Sequence, residues 1–452
     1  MQVQFLGATN TVTGSKYLVR HGKFSLLVDC GLFQGYKQLR LRNWAPLPLK
    51  ASEIDAVILT HAHIDHSGYL PLLVKQGFRG NVYATAATRD LCRIMLPDSG
   101  GLQEEEAGYM NRHRLSKHST ALPLYTRQDA IHSLDRIETV AFGKAWEPVP
   151  GLRGSLTHAG HMPGAASVRL DDGTVSILFS GDLGRPVDAL MRAPDPIAQA
   201  DHLVVESTYG NRLHSDHDPL RQLADIVNRT AARGGAIIIP AFAVGRAQAL
   251  MLRIQQLKEH GVIPHLPVYL NSPMAAEATR VFLRHQNELR LTPAECSALS
   301  NAAHVVGTPE ESRELNARRG PMVVIAGSGM ATGGRVIHHI KAFAPHKRNT
   351  IVLAGFQAGG TRGAHLAAGD STVRIHGEDV PVRCEVAQLD SLSAHADAAE
   401  IESWLRGMKS PPRTTFITHG EPDAADALRQ RIERTLRWPT HVPEYLETVD
   451  LH

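Results

Sequence analysis

A chain of 452 residues is too long for one compact core, so two domains are the expectation. Hydrophobic residues make up 43% of the chain and charged residues 21%, which is ordinary for a globular protein. Aromatic residues, at 5%, are too sparse for aromatic stacking to form the main binding surface, and a net charge of +3 permits an anionic partner without requiring one.

The cysteines and the apolar runs predict an intracellular, cytoplasmic protein with no membrane segment. Cys30, Cys92, Cys296 and Cys384 form no CxxC pair, so neither a zinc knuckle nor a redox dithiol is expected, and a reducing compartment fits best. The N-terminus, MQVQFLGATN, lacks the basic and apolar regions of a signal peptide. The most apolar internal run, AIIIPAFAV, is too short to span a bilayer.

The first part of the chain is rich in predicted strands. Short strands are expected at VQFLGA, SKYLVR, FSLLVDCG and IDAVILT. A helix ending at Gly77 is predicted for GYLPLLVKQG, and a strand followed by a helix for NVYATAATRDLCRIML. Residues 97–135 are predicted to be irregular, with the acidic run at 104–106 on a solvated helix face. Strands are expected again at SVRLDDG, TVSILFSGD and HLVVEST.

From Gly234 to Leu366 the pattern changes to four strand-then-helix units, which predict a parallel sheet with helices on its faces. His338 and His339 lie on a predicted helix of this region and are expected at the surface. A short β stretch follows, and the chain then ends with a strand, a His-Gly turn and a helix in RTTFITHGEPDAADALRQRIERTL. No Pro/Ser-rich linker separates the two patterns, so the middle region is predicted to be an insertion.

Polar residues of the types that can bind metals or act in catalysis follow the ends of several apolar strands. Asp29 follows SLLV, Asp182 follows SILFSG, Glu206 ends LVVE, and His419 follows TFIT. Because the carboxyl ends of strands line the ligand-binding crevice of an open α/β sheet, these residues are expected to converge although they are far apart in sequence.

The densest group of such residues is THAHIDHSG, which follows the predicted strand IDAVIL. His61 and His63 are two apart on an extended segment, so both rings point to the same side, whereas Asp65 and His66 can turn toward a second ion. Imidazole and carboxylate are the usual ligands of catalytic Zn, Mn or Fe. Without a cation, burying these groups side by side would leave several desolvated polar atoms, which disfavours a purely structural role.

Two metal sites need ligands from elsewhere in the chain, because a catalytic ion takes about three protein ligands plus water. His161, in HAGHMPGAAS, and Asp182 are the candidates, and a carboxylate such as Asp182 can bridge two cations.

The motifs, taken in order, resemble those of a known family. HxHxDH with a downstream His and Asp resembles the metallo-β-lactamase superfamily. Glu206 in VVESTYGNR, His395 in LSAHAD and His419 in ITHGE are similar to motifs A, B and C of its β-CASP branch, and PAFAVGRAQ and GSGMATGG also resemble that branch. The resemblance covers essentially the whole chain. Within that branch the chain resembles bacterial and archaeal RNA-processing nucleases, and it resembles the endonuclease subunit of the eukaryotic pre-mRNA cleavage and polyadenylation factor more distantly.

The resemblance implies an α/β fold in which a metallo-β-lactamase αββα sandwich carries an inserted β-CASP domain, itself a parallel sheet flanked by helices. The expected domains are residues 1–208 and 391–452 for the metallo-β-lactamase part and residues 209–390 for the insertion.

The resemblance also implies a role for each motif residue. The ligands would be His61, His63 and His161 for one zinc ion, Asp65, His66 and His419 for a second, and Asp182 as the bridge, with Mn²⁺ as the alternative metal. His395 would protonate the leaving oxygen, Glu206 would orient His395, and Asp29 would hold the HxHxDH loop from outside the ligand set. Cleavage of a phosphodiester would leave a 5′-phosphate and a 3′-hydroxyl.

The inserted region carries weaker signals for phosphate binding. Backbone amides of GSGMATGG, including Ser328 and Gly329, could cradle a phosphate, although a tight turn chosen for packing explains this glycine-rich stretch equally well. Arg246, Arg335 and Arg362 lie at or near βα turns and could reach RNA phosphates. The family often has Asp-Ser-Pro where this chain has Asn271-Ser272-Pro273, a departure expected to affect substrate contact more than catalysis.

The leading prediction is a metal-dependent ribonuclease acting on single-stranded RNA, as a monomer or a homodimer. A small-molecule thioester or lactone hydrolase is disfavoured by the insertion and by the His395–Glu206 pair. A DNA-processing β-CASP nuclease is disfavoured by His419, because DNA-acting members typically have an aliphatic residue there. A catalytically inactive scaffold is disfavoured because no predicted ligand is missing.

Overall fold

The computed structural model describes residues 1–114, 120–214, 218–355, 357, 359–389 and 393–452. The chain forms two compact units, one of residues 1–213 and 395–452 and the other of residues 214–394. The predicted domain boundary at residues 390 and 391 lies outside the described residues. Within these described ranges, no helix combines the length and the apolar character needed to cross a membrane.

The secondary structure is mixed throughout. The strands are β1 (Gln2–Phe5), β2 (Tyr17–His21), β3 (Phe24–Val28), β4 (Ala56–Ile58), β5 (Asn81–Ala84), β6 (Ile137–Thr139), β7 (Trp146–Val149), β8 (Leu152–His158), β9 (Ala166–Asp171), β10 (Ser176–Phe179), β11 (His202–Glu206), β12 (Ala236–Pro240), β13 (Val268–Asn271), β14 (His304–Val305), β15 (Met322–Ala326), β16 (Thr350–Ala354), β17 (Thr372–Ile375), β18 (Glu378–Pro381), β19 (Glu385–Leu389), β20 (Thr414–Thr418), β21 (Thr440–His441) and β22 (Thr448–Asp450). The helices are α1 (Lys37–Arg42), α2 (Ile64–Ser67), α3 (Leu70–Lys75), α4 (Ala86–Arg112), α5 (Arg127–Ser133), α6 (Pro219–Ala232), α7 (Arg246–Glu259), α8 (Pro273–Arg284), α9 (Pro293–Asn301), α10 (Pro309–Ala317), α11 (Val336–Phe343), α12 (Arg362–Ala367), α13 (Ala398–Leu405) and α14 (Pro422–Thr435). Short 3₁₀ turns lie at Ala51–Glu53, Leu134–Arg136 and Gln286–Glu288.

The first unit contains two mixed sheets of similar design. One has the order β22-β1-β2-β3-β4-β5-β6 and the other β21-β20-β11-β10-β9-β8-β7. In each sheet the strands at one end are parallel to each other, β3 to β6 in the first sheet and β10, β11, β20 and β21 in the second, while the remaining neighbours are antiparallel. The parallel strands bring their carboxyl ends, and the polar residues that follow them, to a common edge of each sheet.

The two sheets of this unit pack face to face. Side chains alternate along each strand, so Leu26 and Val28 of β3 meet Val168 and Ile177 of the second sheet in one apolar core. The next residue of β3, Leu27, points the opposite way and is also fully buried, so both faces of this strand are covered. On the outer face of the second sheet, α13 and α14 pack their apolar sides against β11 and β20.

The second unit is built on a parallel sheet with the order β14-β13-β15-β12-β16-β19. Every residue of β12, β13, β15 and β16 is buried, as expected for strands covered by helices on both faces. The four predicted strand-then-helix units are confirmed as β12–α7, β13–α8, β15–α11 and β16–α12.

The prediction of an irregular segment over residues 97–135 is wrong at both ends, because α4 continues through Pro97 to Arg112 and α5 spans Arg127–Ser133. Gly100, within α4, is a packing position: a Cβ there would lie 2.7 Å from the backbone nitrogen of Arg127. The acidic run at 104–106 lies exposed on this helix, as predicted.

Several further elements were not predicted, among them strands β7 and β8 and helices α6, α9 and α10. One side chain, that of His339, is buried although it was expected at the surface. His339 is fully buried rather than exposed, because α11 turns it toward the amides of Asn271 and Asn316, which lie 2.6 and 2.7 Å from its ring nitrogens. The four cysteines are all buried and free, and none of them forms a disulfide bond.

The loop after β3 is bonded directly to the HxHxDH segment. The backbone nitrogens of Cys30 and Leu32 donate to the carbonyl oxygens of His66 and Ile64, at 2.7 and 2.9 Å. Between them, Gly31 has no room for a side chain, because a Cβ there would lie 1.6 Å from the carbonyl oxygen of Asp65. A glycine at this position therefore sets the position of the segment that carries Asp65 and His66.

We expect Gly31→Ala to displace this segment and to lower the free energy of unfolding by about 1–3 kcal/mol, as overpacking does. Urea denaturation of the purified variant measures the change. Gly108→Ala on α4 is the matched control, because its added Cβ would meet only the flexible end of Arg112 at 3.3 Å and helix propensity favours Ala. Equal stability of Gly31→Ala and the unaltered chain would contradict the packing described for this loop.

Candidate metal centre

The HxHxDH motif changes backbone conformation at its midpoint. His61 and His63 lie on the segment that follows β4, and helix α2 begins directly after His63. Asp65 and His66 therefore project from a helical turn, and the two halves of the motif face different neighbours.

The first half of the motif belongs to a cluster of four residues. Nε2 of His61 lies 3.1 Å from Nδ1 of His63, which lies 3.3 Å from Nε2 of His161. Oδ2 of Asp182 lies 3.4 Å from Nε2 of His61 and 3.7 Å from Nε2 of His161. One ligand atom from each residue lies within 4.8 Å of all the others, so the four could hold a single cation.

The second half of the motif meets His419 at the end of β20. Nε2 of His66 lies 3.0 Å from Nε2 of His419, and Oδ2 of Asp65 lies 3.5 Å from the same His419 nitrogen. The other carboxylate oxygen of Asp182, Oδ1, lies 3.2 Å from Nε2 of His66. The two oxygens of Asp182 thus face different clusters, which is the arrangement of a bridging carboxylate.

The donor set of these clusters fits divalent cations. Oδ1 of Asp182 and Nδ1 of His161 are buried, and no residue in the described part of the chain forms a hydrogen bond with either atom. The approach of His66 to Oδ1 is close but lacks hydrogen-bond alignment. Such groups are costly to bury unless a partner satisfies them, and imidazole and carboxylate together are ligands of Zn²⁺ or Mn²⁺.

Asp29 and Thr60 hold two of the imidazoles in the tautomer that a ligand needs. The carboxylate of Asp29 accepts hydrogen bonds from the backbone nitrogen and the hydroxyl of Thr60 at 2.8 and 2.9 Å and lies 2.7 Å from Nδ1 of His66. Because the Thr60 hydroxyl donates to Asp29, it accepts from Nδ1 of His61, 3.0 Å away. Nε2 of both histidines is left to face the clusters.

Thr60 was not predicted as a functional residue, although it lies beside the motif in THAHIDH. Its hydroxyl could have been suspected only from the position of Asp29, because a threonine at a strand end is ordinary in a β protein.

His395 lies beside the first cluster and is held by Glu206. Its Nδ1 lies 3.2 Å from both carboxylate oxygens of Glu206, and its Nε2 lies 3.9 Å from Oδ2 of Asp182. Glu206 is buried, and its Oε1 accepts a hydrogen bond of 2.6 Å from the backbone nitrogen of Leu183. Nδ1 of His395 is therefore the restrained nitrogen, and Nε2 is the one turned toward the clusters.

Burial determines the protonation of the first cluster. Together with neighbouring imidazoles, it lowers the pKa of His61 and His63 well below the ordinary value and that of His161 to about 4. These rings are neutral at pH 7, as metal ligation requires.

Carboxylates reverse this effect at two other histidines. Burial lowers the pKa of His66, yet Asp182 and Asp29 hold it well above the ordinary value, so a cation bound at Nε2 would displace a proton. Burial likewise opposes protonation of His395, but Glu206 raises its pKa to about 9. His395 is therefore charged at pH 7, the state in which Nε2 carries a proton to donate.

The residues predicted to contact RNA phosphates lie in the unit of residues 214–394 and do not belong to these clusters: Arg246, Ser328, Gly329, Arg335 and Arg362. Nε of Arg362 donates to the carbonyl oxygen of Arg374 at 2.7 Å. A Cβ on Gly329 would lie 2.7 Å from the ring of Phe242, so packing alone accounts for that glycine. Their contact with RNA remains a prediction.

The half-buried Arg335 forms a polar network with the buried Asn271, the position where the family often has Asp. Its guanidinium donates to Oδ1 of Asn271 and to the carbonyl oxygen of Val306, both at 2.9 Å. The amide nitrogen of Asn271 donates to Ser312 at 2.8 Å and faces Nε2 of His339. An amide, unlike a carboxylate, can both accept from Arg335 and donate to these two neighbours.

The chain is similar to known proteins both in sequence and in fold. Family models match residues 10–240 (metallo-β-lactamase superfamily), 247–366 (β-CASP domain) and 379–443 (Zn-dependent metallo-hydrolase RNA specificity domain). The chain is 36% identical to Ribonuclease TTHA0252 of Thermus thermophilus, over 95% of both chains. It is 30% identical to the transcription termination factor FttA of Methanosarcina mazei, over 100% of this chain and 72% of that protein. A protein of unknown function from Enterococcus faecalis V583 shares the fold over 100% of this chain and 99% of its own, with a TM-score of 0.55 and 13% identity.

The hydrogen-bond relay through Thr60 predicts a specific loss of metal affinity. Thr60→Val keeps the side-chain shape but removes the hydroxyl, so Nδ1 of His61 loses its partner and metal affinity should fall about 10- to 100-fold. Competition with a chromophoric chelator measures that affinity. Thr60→Ser is the control and should bind metal nearly as the unaltered chain does. If the Val and Ser variants bound metal equally well, the relay would have no part in orienting His61.

Proposed function

The chain belongs to the β-CASP branch of the metallo-β-lactamase superfamily, and on that premise we propose that it is a metal-dependent ribonuclease that hydrolyses RNA phosphodiester bonds in RNA processing or decay. Family membership confirms the predicted fold class and the resemblance noted in the sequence. The observation that carries the proposal is the position of Asp182 between two imidazole clusters, with the His395–Glu206 pair beside it.

We assign one divalent cation to each cluster, with Asp182 shared between them. The ligand sets are His61, His63 and His161 for the first cation and Asp65, His66 and His419 for the second. Zn²⁺ is proposed as the metal and Mn²⁺ as its substitute, because both accept imidazole and carboxylate ligands. When bound, such a pair of cations would activate water and stabilise the charge that develops on the phosphodiester.

His395 supplies the proton for the leaving group in this proposal. Glu206 keeps Nδ1–H of His395 in a hydrogen bond, so the imidazolium releases its other proton, from Nε2, to the departing 3′-oxygen. Glu206 touches no substrate atom in this scheme. It positions the ring and stabilises its charged form, and the products carry a 5′-phosphate and a 3′-hydroxyl.

The remaining assignments also belong to the proposal. We propose that residues 1–208 and 391–452 form the metal-binding domain around an inserted β-CASP domain of residues 209–390, a division supported by the two compact units and by the β-CASP match within the second unit. The proposed substrate is single-stranded RNA, which accords with the RNA specificity model matched at residues 379–443. The cytoplasm as compartment, and a monomer or homodimer as assembly, remain predictions.

Cleavage of labelled polymers tests the proposed activity. The metal-loaded chain should cut internally labelled single-stranded RNA and spare a DNA of the same sequence, and Asp182→Asn should reduce the rate at least about 100-fold, since the shared carboxylate is lost. A denaturing gel follows the products and separates endonucleolytic from exonucleolytic cutting. Hydrolysis of a thioester or lactone with both polymers intact would replace the ribonuclease assignment with a small-molecule hydrolase.

The role of His395 predicts a dependence on the leaving group. His395→Ala should lower kcat on RNA by about 10²- to 10⁴-fold, the usual contribution of a general acid. The loss on bis(p-nitrophenyl) phosphate should be much smaller, because nitrophenolate leaves without a proton. Glu206→Gln should show the same pattern in weaker form.

Metal content measured by atomic emission is the control for these variants, and it should be unchanged in both. Equal losses on RNA and on the activated ester would show that His395 does not act as the acid.

A further inference from the structure

A surface segment next to the metal-binding loop carries cations and exposed aromatic residues that the core does not use. We call residues 34–50 the basic segment. It lies between Asp29 and Glu53 in a stretch without any acidic residue, and its four cations are Lys37, Arg40, Arg42 and Lys50. Among the described residues, none of these four forms an ion pair, so their charge is not neutralised locally.

Three large apolar side chains of the basic segment face solvent. Tyr36, Leu41 and Trp44 are 51%, 57% and 59% exposed, and α1, which lies between Tyr36 and Asn43, buries no side chain. Tryptophan is usually buried to a large extent in folded proteins. Three large apolar groups exposed within nine residues are a grouping that marks an interaction surface rather than a folding element.

The basic segment is nevertheless held in place. Asn43 is buried, and its side-chain amide makes two hydrogen bonds of 2.8 Å with the backbone nitrogen and the carbonyl oxygen of Phe33. The guanidinium of Arg42 lies over the ring of Tyr445, 4.1 Å from its centroid. These contacts order the segment before any partner arrives, which reduces the entropic cost of binding.

The start of the basic segment is tied to the metal centre. Leu32, two residues before Gln34, donates its backbone N–H to the carbonyl oxygen of Ile64, which lies between His63 and Asp65 in sequence. The backbone nitrogen of Gln34 itself donates to Oγ1 of Thr13. The exposed cations and rings therefore begin at the rim of the loop that carries the candidate metal ligands.

We propose that the basic segment binds single-stranded RNA and holds the substrate strand beside the metal centre. Trp44 and Tyr36 would stack on bases, and Lys37 and Arg40 would contact phosphates. Unpaired cations next to exposed rings are the chemistry that recognises single-stranded nucleic acid, because the backbone supplies anions and every base offers a flat face. The inference rests on the proposed ribonuclease function for its choice of RNA.

Binding of a fluorescein-labelled, 20-nucleotide single-stranded RNA, followed by anisotropy, tests the proposal. The metal-loaded full chain is used in the His395→Ala background, which slows cleavage. Trp44→Ala should weaken binding at least about fivefold, the lower end for loss of one stacked base, while Trp44→Phe should retain most of it. The double variant K37A/R40A should reduce the slope of log affinity against log salt by about 0.7 for each phosphate that these two cations neutralise.

Matched controls lie on α4 of the same unit. Tyr109→Ala and Arg93→Ala remove an exposed ring and an exposed cation far along the chain from the basic segment, and both should bind RNA like the parent. With His395 restored, Trp44→Ala should raise KM for RNA and leave hydrolysis of bis(p-nitrophenyl) phosphate unchanged, because that small ester engages only the metal centre.

The outcomes separate this inference from the proposed function. If the unaltered chain cuts RNA and the basic-segment variants bind it normally, the inference is overturned and the ribonuclease assignment stands. If RNA binds through Trp44 but is never cut, the inference stands and the assignment fails. If the variants change only the molar mass measured by light scattering, the surface joins two copies of the chain, and the RNA-binding inference is overturned.

Discussion

The placement of one buried carboxylate between two groups of imidazoles is the constraint on which the metal-binding unit depends. Asp182 follows β10 and reaches His61 with one oxygen and His66 with the other. These partners come from the other sheet, so the ligand set exists only when the two sheets pack face to face with their strand ends aligned. The apolar core between the sheets, which includes Val28 and Ile177, therefore acts on the chemistry as well as on stability.

Glycines allow the loops of this unit to approach one another closely, because a side chain at these positions would clash with a neighbouring backbone. Gly184, beside the candidate general acid, has no room for a side chain: a Cβ there would lie 1.9 Å from the carbonyl oxygen of Gly160, next to His161. Gly184 also pairs with His395 in an isolated antiparallel bridge. One glycine thus joins the loop of a candidate metal ligand to the loop of the candidate acid, and a larger residue would separate the two.

Much of this arrangement can be predicted from the sequence, because it depends on local patterns. Uninterrupted apolar runs such as AIIIP mark strands covered on both faces, and the polar residues that follow such runs converge because parallel strands end together. The close spacing of HxHxDH disfavours a purely structural role, because burying these polar groups together without a cation would be energetically unfavourable. The resemblance to the family then assigns the ligands to two ions. Each of these inferences needs only neighbours in sequence or a general property of sheets.

What could not be predicted depends on contacts between distant segments. Helix α4 passes Pro97 and Gly100 because α5 packs against it there, and a break would be the local expectation. His339 is buried because Asn271 and Asn316 offer it hydrogen bonds from other elements. Arg335 looks like a free cation in sequence, yet its guanidinium is used by Asn271 and Val306.

Two buried carboxylates of the unit each orient one imidazole, but the two imidazoles have different proposed roles. Asp29 and Glu206 each face Nδ1 of one imidazole and turn Nε2 toward the centre, Asp29 for His66 and Glu206 for His395. His66 points at His419 and Asp182, a set of lone pairs that a cation satisfies better than a proton. His395 points past that set, with its Nε2 3.9 Å from Asp182, so in the proposed scheme this nitrogen keeps the proton that it gives to the leaving group. In the proposed scheme, the position of each ring relative to Asp182, rather than its carboxylate partner, decides whether an imidazole serves as ligand or acid.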